Sequence, residues 1–327
     1  MGRVFFVVAP SVLAIYLPFC AAEVKPISEN DHAARPSLWE EPVDLPERDL
    51  TYGPWGPERA PDPQAKYTLV RYKRSGVNPG MTVRDQRGRE WSVKQAPPDG
   101  WASEGPIEVV VSRLLSALGY HQPPIYYLPA FTLVDDWGEH MEGGGRFRLK
   151  EKGLKERGVW SWQQNPFVGS KPYQGLLVTL LLFNSTDLKN DNNSIYEYKV
   201  GGRVEQWYVV RDLGSALGDT GRFAPRRGDP DAFERHGFIK GMNGGLITFH
   251  YHGWHQELVR DRITASDLAW TAALLSRLSD QQWHDAFRSG GYSPALATRF
   301  IDTLQARLAQ GRRMASVPSL RSEETAP

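Results

Sequence analysis

The stretch Asp187-Leu188-Lys189-Asn190-Asp191-Asn192 decides the fold of this 327-residue chain. It follows residues 172–184, which contain five leucines and are predicted to form a strongly buried helix. Two predicted strands come next, at 194–200 and 204–211. A polar turn between a buried helix and a hairpin is the ordinary interpretation of such a stretch, because Asp and Asn are common in turns.

The spacing of these polar residues also suits phosphoryl transfer. Asp187 can accept the proton of an attacking hydroxyl group, and Lys189 can neutralise a phosphate during its transfer. The side-chain carbonyl of Asn192 can ligate Mg²⁺. A second metal ligand is predicted at Asp212, which follows an apolar strand and precedes Gly214. We therefore predict catalytic roles for the first two residues and metal binding for the other two.

A second element lies earlier in the chain, at Lys94 and Glu108. Lys94 ends the third of three predicted strands, at 67–72, 81–85 and 90–94, and Glu108 lies on the helix predicted after them. At about 100° per residue, Glu108 falls on the rim of the apolar stripe of that helix, where it can reach a strand beneath. Such a pair can hold the ammonium group on the phosphates of a nucleotide. The alternative is a surface lysine and a solvated glutamate.

Together these segments resemble the protein-kinase-like superfamily. Asp187-Leu-Lys through Asn192 matches the spacing of the kinase segment D-L-K-x-x-N, and Asp212-Leu-Gly214 stands where D-F-G is found. Ser185-Thr186 stands where His-Arg is usual. The wider layout is more similar to atypical members, such as the HipA-type and phosphatidylinositol-kinase-like proteins, than to ordinary protein kinases. Trp91-Ser-Val-Lys94, followed by Glu108-Val-Val-Val-Ser-Arg-Leu-Leu115, is also similar to exported bacterial proteins of unassigned role.

The resemblance implies a two-lobed α+β fold. It predicts a small β-rich, nucleotide-binding N-terminal lobe at 67–150 with one main helix, and a larger, mostly helical C-terminal lobe at 151–315. It implies ATP and Mg²⁺ or Mn²⁺ as cofactors, and contact of Gly76 and Gly80 with the nucleotide. Two functions follow: a phosphotransferase acting on an unknown protein, glycan, lipid or small-molecule acceptor, or a catalytically inactive kinase-fold binding protein.

The remaining pattern completes the expected order of elements. A helix from Pro106 should end at Gly119, and glycines 143–145 should separate strands at 125–134 and 146–150. Residues 216–245 hold seven glycines and are predicted to form a long irregular loop. Three helices are predicted at 264–277, 279–289 and 293–311, and the last residues, 316–327, are predicted to be disordered.

The first 22 residues resemble a secretory signal peptide, because an apolar run from Val4 to Phe19 leads to Cys20-Ala-Ala22. A membrane anchor is the alternative, but the run is short and contains Pro10 and Pro18. Residues 23–66 contain eight prolines and are predicted to be a leader that either wraps the fold or stays loose. The expected location of the protein is therefore periplasmic or extracellular.

Composition excludes several classes of function. Lys and Arg total 39 against 38 Asp and Glu, so a protein that mainly coats nucleic acid is not expected. Cys20 is the only cysteine, which excludes disulfides and thiolate catalysis after cleavage of the signal. His250, His252 and His255, with Glu257, suggest a metal site as an alternative to a polar loop. The 11 tryptophans fit core packing or sugar binding.

Overall fold

The computed structural model describes residues 34–73, 79–96, 104–200, 202–219 and 226–316. The predicted signal peptide, Gly76 and nearly all of the predicted C-terminal tail lie outside these ranges. Within them the strands are β1 (Arg35–Ser37), β2 (Lys66–Tyr72), β3 (Gly80–Arg84), β4 (Glu90–Gln95), β5 (Ile125–Asp135), β6 (Gly138–Leu149), β7 (Leu154–Gly158), β8 (Asn193–Val200), β9 (Arg203–Val210), β10 (Ile239–Asn243) and β11 (Leu246–Phe249).

The helices of the described residues are α1 (Glu104–Ala117), α2 (Lys171–Leu182), α3 (Pro230–Arg235), α4 (Ala265–Leu275), α5 (Asp280–Ser289) and α6 (Pro294–Ala315). Short 3₁₀ turns occur at Leu45–Glu47, Pro57–Arg59, Asn190–Asn192 and Gln256–Leu258. The N-terminal part is rich in strands and the C-terminal part is mostly helical. The predicted α+β class, with one main helix among the early strands, is confirmed.

Five strands form a closed barrel in the order β2-β3-β4-β6-β5. Neighbours are antiparallel except β2 and β5, whose parallel pairing of Lys66 with Thr132 closes the barrel. Alternate residues point inward, so Trp91 and Phe147 meet edge to face at 6.0 Å in the interior. Strands β4 and β6 pair directly with each other, and their register fixes the face on which Lys94 lies.

The prediction of a glycine turn at 143–145 was wrong, because these residues lie inside β6. Gly145 pairs with both Gln95 and Leu128, and a Cβ at Gly144 would lie 2.3 Å from the Tyr127 hydroxyl. Glycine is required here by the close approach of a neighbouring side chain, and not by a change of chain direction. Strand β7 was not predicted; its three charged residues hide the period-two pattern.

Helix α1 is buried around nearly its whole circumference. It packs against β5 and β6 on one side and against α5 on another. Its apolar side chains belong to the larger of two hydrophobic clusters, together with those of α2, α4, α5 and α6. The helix ends as predicted near Gly119, where φ is +98° and a Cβ would lie 2.0 Å from the Glu40 carbonyl oxygen. Only glycine fits this C-cap.

The proline-rich segment before the barrel wraps the fold from residue 34 onward. Strand β1 pairs in parallel with β9, aligning Ser37 with Trp207. Leu45 and Leu50 are fully or almost fully buried in the larger cluster. Of the two alternatives for this leader, the packed one is therefore correct for the described residues.

Strands β1, β9, β8 and β7 form a second sheet in that order. Residues 216–245 are more regular than predicted, since they include α3 and β10. The last three helices start at side-chain caps, with full capping boxes at Thr264 and Ser279, which explains why their boundaries were predictable. In the described part of the chain, no helix combines the length and apolar character needed to cross a membrane.

Candidate functional site

Lys94 lies at the centre of a cluster of charges. Its Nζ atom is 2.6 Å from Oε2 of Glu104, 3.2 Å from Oδ1 of Asp212 and 3.8 Å from Oε2 of Glu108. The Lys94 side chain is only 12% exposed. The predicted contact between Lys94 and Glu108 is present, but the two shorter contacts are to other carboxylates.

Glu108 is held from both sides of one barrel face. Lys94 on β4 pairs with Arg146 on β6, so their side chains point to the same face of the sheet. Oε1 of Glu108 lies 3.2 Å from Nε of Arg146, while Oε2 faces Lys94. The carboxylate of α1 therefore bridges two cations that the barrel register places next to each other.

Glu104 and Arg227 complete the cluster and were not predicted. Arg227 forms an ion pair with Oε1 of Glu104, the carboxylate whose other oxygen contacts Lys94. Glu104 is one helical turn before Glu108, so both side chains lie on one face of α1. Starting the predicted helix at Pro106 concealed this i,i+4 relation. Below, the Lys94 cluster denotes Lys94, Glu104, Glu108, Arg146, Asp212 and Arg227.

Two glycines let the start of α1 approach the site closely. A Cβ at Gly214 would lie 2.5 Å from Cβ of Glu104, and one at Gly105 would lie 3.2 Å from Cβ of Arg146. The glycine of Asp212-Leu-Gly214 thus has a steric purpose, because any side chain there would push α1 away. Leu213, between Asp212 and Gly214, is 2% exposed and packs in the larger hydrophobic cluster.

The charges of the cluster stabilise one another. Burial alone would lower the pKa of Lys94, but the carboxylates of Glu108, Asp212 and Glu104 outweigh it and raise that pKa. Burial likewise works against the Asp212 carboxylate, yet Lys94, Arg146 and Arg211 hold its pKa below the ordinary value.

Asp212 adopts a left-handed backbone conformation with φ of +51°. Asp tolerates this region better than most residues, but it is still uncommon outside glycine. The position is fixed by its neighbours, since Arg211 N donates to Asn192 O at 2.8 Å and Leu217 N donates to Phe183 O at 2.9 Å. These bonds join the segment after β9 to the turn after α2, and half of the Asp212 side chain remains exposed.

The turn after α2 brings Asp187, Lys189 and Asn192 together. Nζ of Lys189 lies 2.9 Å from Oδ1 of Asp187, and Nδ2 of Asn192 donates to Asp187 O at 2.8 Å. That bond uses the amide nitrogen of Asn192 within the turn, and its amide oxygen is the atom that suits a metal. Residues 190–192 form a 3₁₀ turn, so the stretch is compact as well as polar.

A loop after β11 supports this turn from the other side. Trp254 N donates to Thr186 O at 3.0 Å, and the indole ring of Trp254 lies 5.0 Å from Nζ of Lys189. Burial, with smaller contributions from Asp187 and Glu257, raises the pKa of Tyr251, whose hydroxyl donates to Trp254 O at 2.6 Å. Tyr251 and Trp254, beside the histidines, were not predicted to support this turn.

The histidine-rich segment is used for hydrogen bonding. Nδ1 of His255 lies 2.8 Å from Oε1 of Glu257 and 2.8 Å from Nε2 of Gln163. Among the residues that the structure describes, no three His, Cys, Asp or Glu side chains are grouped as a metal site.

Gly80, predicted to contact the nucleotide, begins β3 and pairs with Lys94. Its carbonyl oxygen accepts a hydrogen bond from Lys73 N at 2.8 Å, so Gly80 belongs to the ladder beside the cluster. Gly76, the other predicted member of the loop, lies outside the described residues.

Comparison with known proteins finds similarity only at the level of structure. No protein-family profile matches the chain, and no curated protein matches it either. Among solved structures, the Helicobacter pylori proinflammatory kinase CtkA is 11% identical, with a TM-score of 0.45 over 76% of this chain and 96% of that one.

Two further kinases are similar over the same share of the chain. The Golgi casein kinase is 12% identical with a TM-score of 0.38, covering 72% of its own chain. The Rio2 kinase from Chaetomium thermophilum, in a complex with ADP, Mg²⁺ and phosphoaspartate, is 13% identical with a TM-score of 0.31, covering 70% of its chain. The assignment of a function to this chain rests on its own site residues.

Proposed function

We propose that this chain is an exported, kinase-like phosphotransferase that moves the γ-phosphoryl group of ATP to a hydroxyl group of an acceptor. The observation that carries the proposal is the position of Lys94, whose ammonium group lies between carboxylates from α1 and from the end of β9. Three separate segments of sequence thereby meet around one buried cation. The acceptor can be a protein, glycan, lipid or small molecule.

Lys94 is suited to binding the phosphates of ATP. Its short contacts are to Glu104 and Asp212, while Glu108 is at 3.8 Å and is also held by Arg146. Phosphate oxygens can take over the short contacts while Glu108 keeps the ammonium group in place. A positioned cation of this kind neutralises charge on the transferring group, which is the main source of catalysis in phosphoryl transfer.

The oxygen donors of Asp212 and Asn192 fit Mg²⁺ or Mn²⁺. A carboxylate and an amide oxygen are hard ligands, and the half-exposed Asp212 side chain leaves room for water and phosphate oxygens. A bound ion would neutralise charge on the phosphates. The hydrogen bond from Arg211 N to Asn192 O keeps these two ligand-bearing segments side by side.

Asp187 and Lys189 are suited to the chemical step. Asp187 can accept the proton of the attacking hydroxyl, and Lys189 can offset the charge that develops on the transferred phosphoryl group. Their ion pair at 2.9 Å holds the carboxylate in one orientation before an acceptor arrives. The cation–π contact of Lys189 with Trp254 further limits the orientations of the lysine.

The alternative is a binding protein that retains the fold without catalysis. One observation favours it: the Lys94 cluster contains three carboxylates and three cations, so its charges are already balanced within the protein. A network of this type can serve structure alone. The proposal of export rests on the sequence of the first 22 residues.

The deciding experiment measures ATP binding and γ-phosphate release or transfer by the purified protein, with Mg²⁺, with Mn²⁺ and with a chelator. We expect metal-dependent ATP binding that Asp212→Asn abolishes. Asp231→Asn is the matched control, because Asp231 is an exposed carboxylate on α3 whose ion pair is with Arg299 on α6. Metal-dependent binding without turnover, or no nucleotide binding at all, would overturn the phosphotransferase and favour the inactive binding protein.

A further inference from the structure

A cavity of about 470 Å³ lies on another part of the fold. It is enclosed by the wrapped leader, the C-terminal half of α1, the turn after α1 and the β8–β9 hairpin. None of the residues that line it belongs to the Lys94 cluster or to the turn at 187–192. Its volume is in the range of sites that enclose small organic molecules.

One side of the cavity is aromatic. Trp55, Tyr198 and Trp207 form this side and are called the aromatic wall below; each is only partly buried. The ring centroids of Trp55 lie 5.8 Å from those of Tyr198 and 6.2 Å from those of Trp207. His121 stacks on Trp207 at 4.4 Å, and burial lowers its pKa to about 4, so the imidazole is neutral at pH 7. The three rings of the wall are inclined to one another by 47° to 71°, so the wall is angled and uncharged.

Arg113 supplies a cation to the same cavity. The residue is only 3% exposed, and its Nη2 atom donates to Ile125 O at 2.7 Å. Within the part of the chain that the structure describes, its Nε atom has no hydrogen-bond partner and no carboxylate lies within 4.0 Å of its nitrogens. A buried guanidinium group without a close ion pair is costly, so an anionic ligand would stabilise it.

Three carboxylates line the cavity: Glu40, which is exposed, Asp44, and Asp49, whose charge acts on Arg113 without a close ion pair. Asp44 forms an ion pair with Arg48 at 2.8 Å, and Oδ1 of Asp49 accepts the backbone N–H groups of Thr51 and Tyr52. Gly53, with φ of +71°, makes room for Arg113, because a Cβ there would lie 2.8 Å from Nη1. The leader thus shapes the cavity around the guanidinium group and leaves it without a short ion pair.

We propose that this cavity is a binding site for a small aromatic carboxylic acid. Its ring lies against the aromatic wall, and its carboxylate accepts hydrogen bonds from Arg113. The site is independent of the proposed nucleotide site and would exist even if the chain bound no ATP. Aromatic rings and guanidinium groups are the features with which proteins recognise such ligands, by stacking and by charge-assisted hydrogen bonds.

The experiment is calorimetric titration of the full chain with three probes of similar shape: indole-3-acetate, indole-3-acetamide and tryptamine. We expect one molecule of indole-3-acetate to bind per chain, at least about tenfold tighter than the amide, since a charge-assisted hydrogen bond contributes about that factor. Equal affinities of acid and amide, tightest binding of tryptamine, or no binding of any probe would overturn the proposal.

Variants locate the bound probe. Arg113→Gln should reduce the affinity for indole-3-acetate to that for the amide, while Arg71→Gln, on the exposed face of β2, should leave it unchanged. Asp212→Asn should also leave it unchanged, and a loss there would instead place the probe in the nucleotide site. If Arg113→Gln does not fold, Tyr198→Ala tests the aromatic wall and should weaken acid and amide alike by about tenfold. Unchanged binding in that variant would refute the site.

Discussion

Nζ of Lys94 lies 3.2 Å from Oδ1 of Asp212, although 118 positions separate the two residues in the sequence. Lys94 is on β4 of the barrel, and Asp212 follows β9 of the second sheet. Glu104 and Glu108 of α1 approach the same ammonium group. The Lys94 ammonium group therefore joins three elements: β4, α1 and the segment after β9.

Replacing Lys94 should weaken nucleotide binding. We expect Lys94→Met to lower ATP affinity by about tenfold or more, because the variant removes the buried cation and leaves Glu104, Glu108 and Asp212 to repel phosphates. The measurement is calorimetric titration with ATP and Mg²⁺. Lys66→Met is the control, since Lys66 makes a 2.6 Å ion pair with Glu139 on the exposed surface of the barrel. Equal affinity in both variants would remove Lys94 from the site.

Replacing Asp187 should separate chemistry from binding. We expect Asp187→Ala to reduce turnover by about a hundredfold or more while ATP affinity changes little, because a general base acts only in the chemical step. Asp191→Ala, an exposed carboxylate in the same turn, is the control. If Asp187 only supports the turn, the variant will instead lose about 1 kcal/mol of unfolding free energy and keep its turnover.

Adding a methyl group at Gly214 should disturb the site through packing. The new Cβ would lie 2.5 Å from Cβ of Glu104, so Gly214→Ala must displace the first turn of α1 from Lys94. We expect a loss of about 1–3 kcal/mol of unfolding free energy, together with weaker ATP binding. Gly241→Ala is the matched control, because a Cβ there meets nothing within 4 Å. Similar stability of the two variants would contradict the close approach. Urea unfolding provides the measurement.

Protonation of His121 should make the fold less stable in mild acid. Burial lowers the pKa of His121 to about 4, whereas an unfolded histidine titrates near about 6.5. The unfolded chain therefore binds more protons between these values, so this contribution is complete above about pH 6.5 and is lost as the pH falls toward about 4.

The measurement is the free energy of unfolding at pH 5 and at pH 7.5. The unfolding free energy of the unmodified chain should fall between pH 7.5 and pH 5. We expect this fall to be smaller by about 1–2 kcal/mol in His121→Gln. His284→Gln is the control. If the unfolding free energy falls as much in His121→Gln as in the unmodified chain, His121 does not titrate as its burial implies.

The order and the kind of most elements could be predicted from local pattern. Helix α2 is leucine-rich, Gly119 stops α1, and Thr264 and Ser279 cap the helices that follow them, so each signal lies within a few residues of the structure it specifies. The turn predicted at glycines 143–145 was wrong because glycine occurs both in turns and at close packing contacts. Only the position of Tyr127 in the fold distinguishes the two.

Several residues of the candidate site could also be predicted from the local sequence pattern. Lys94, Glu108, Asp187 and Asp212 could be singled out because each stands at the end or on the rim of a predicted element. Arg146 and Arg227 could not, because their approach depends on strand register and on contacts across the fold. Glu104 was hidden by a two-residue error in the predicted start of α1.

The sequence by itself determined most of the strands and helices, though not β7, α3 or β10, and it indicated which polar residues are placed to do chemistry, because periodicity and end signals act over short distances. The tertiary structure decided which of those residues meet. The register of β4 and β6 sets Lys94 beside Arg146, and close packing at Gly214 brings Glu104 of α1 to the segment that carries Asp212. The wrapped leader encloses the cavity around Arg113. Such contacts depend on the register and packing of segments far apart in the chain, and no local pattern records them.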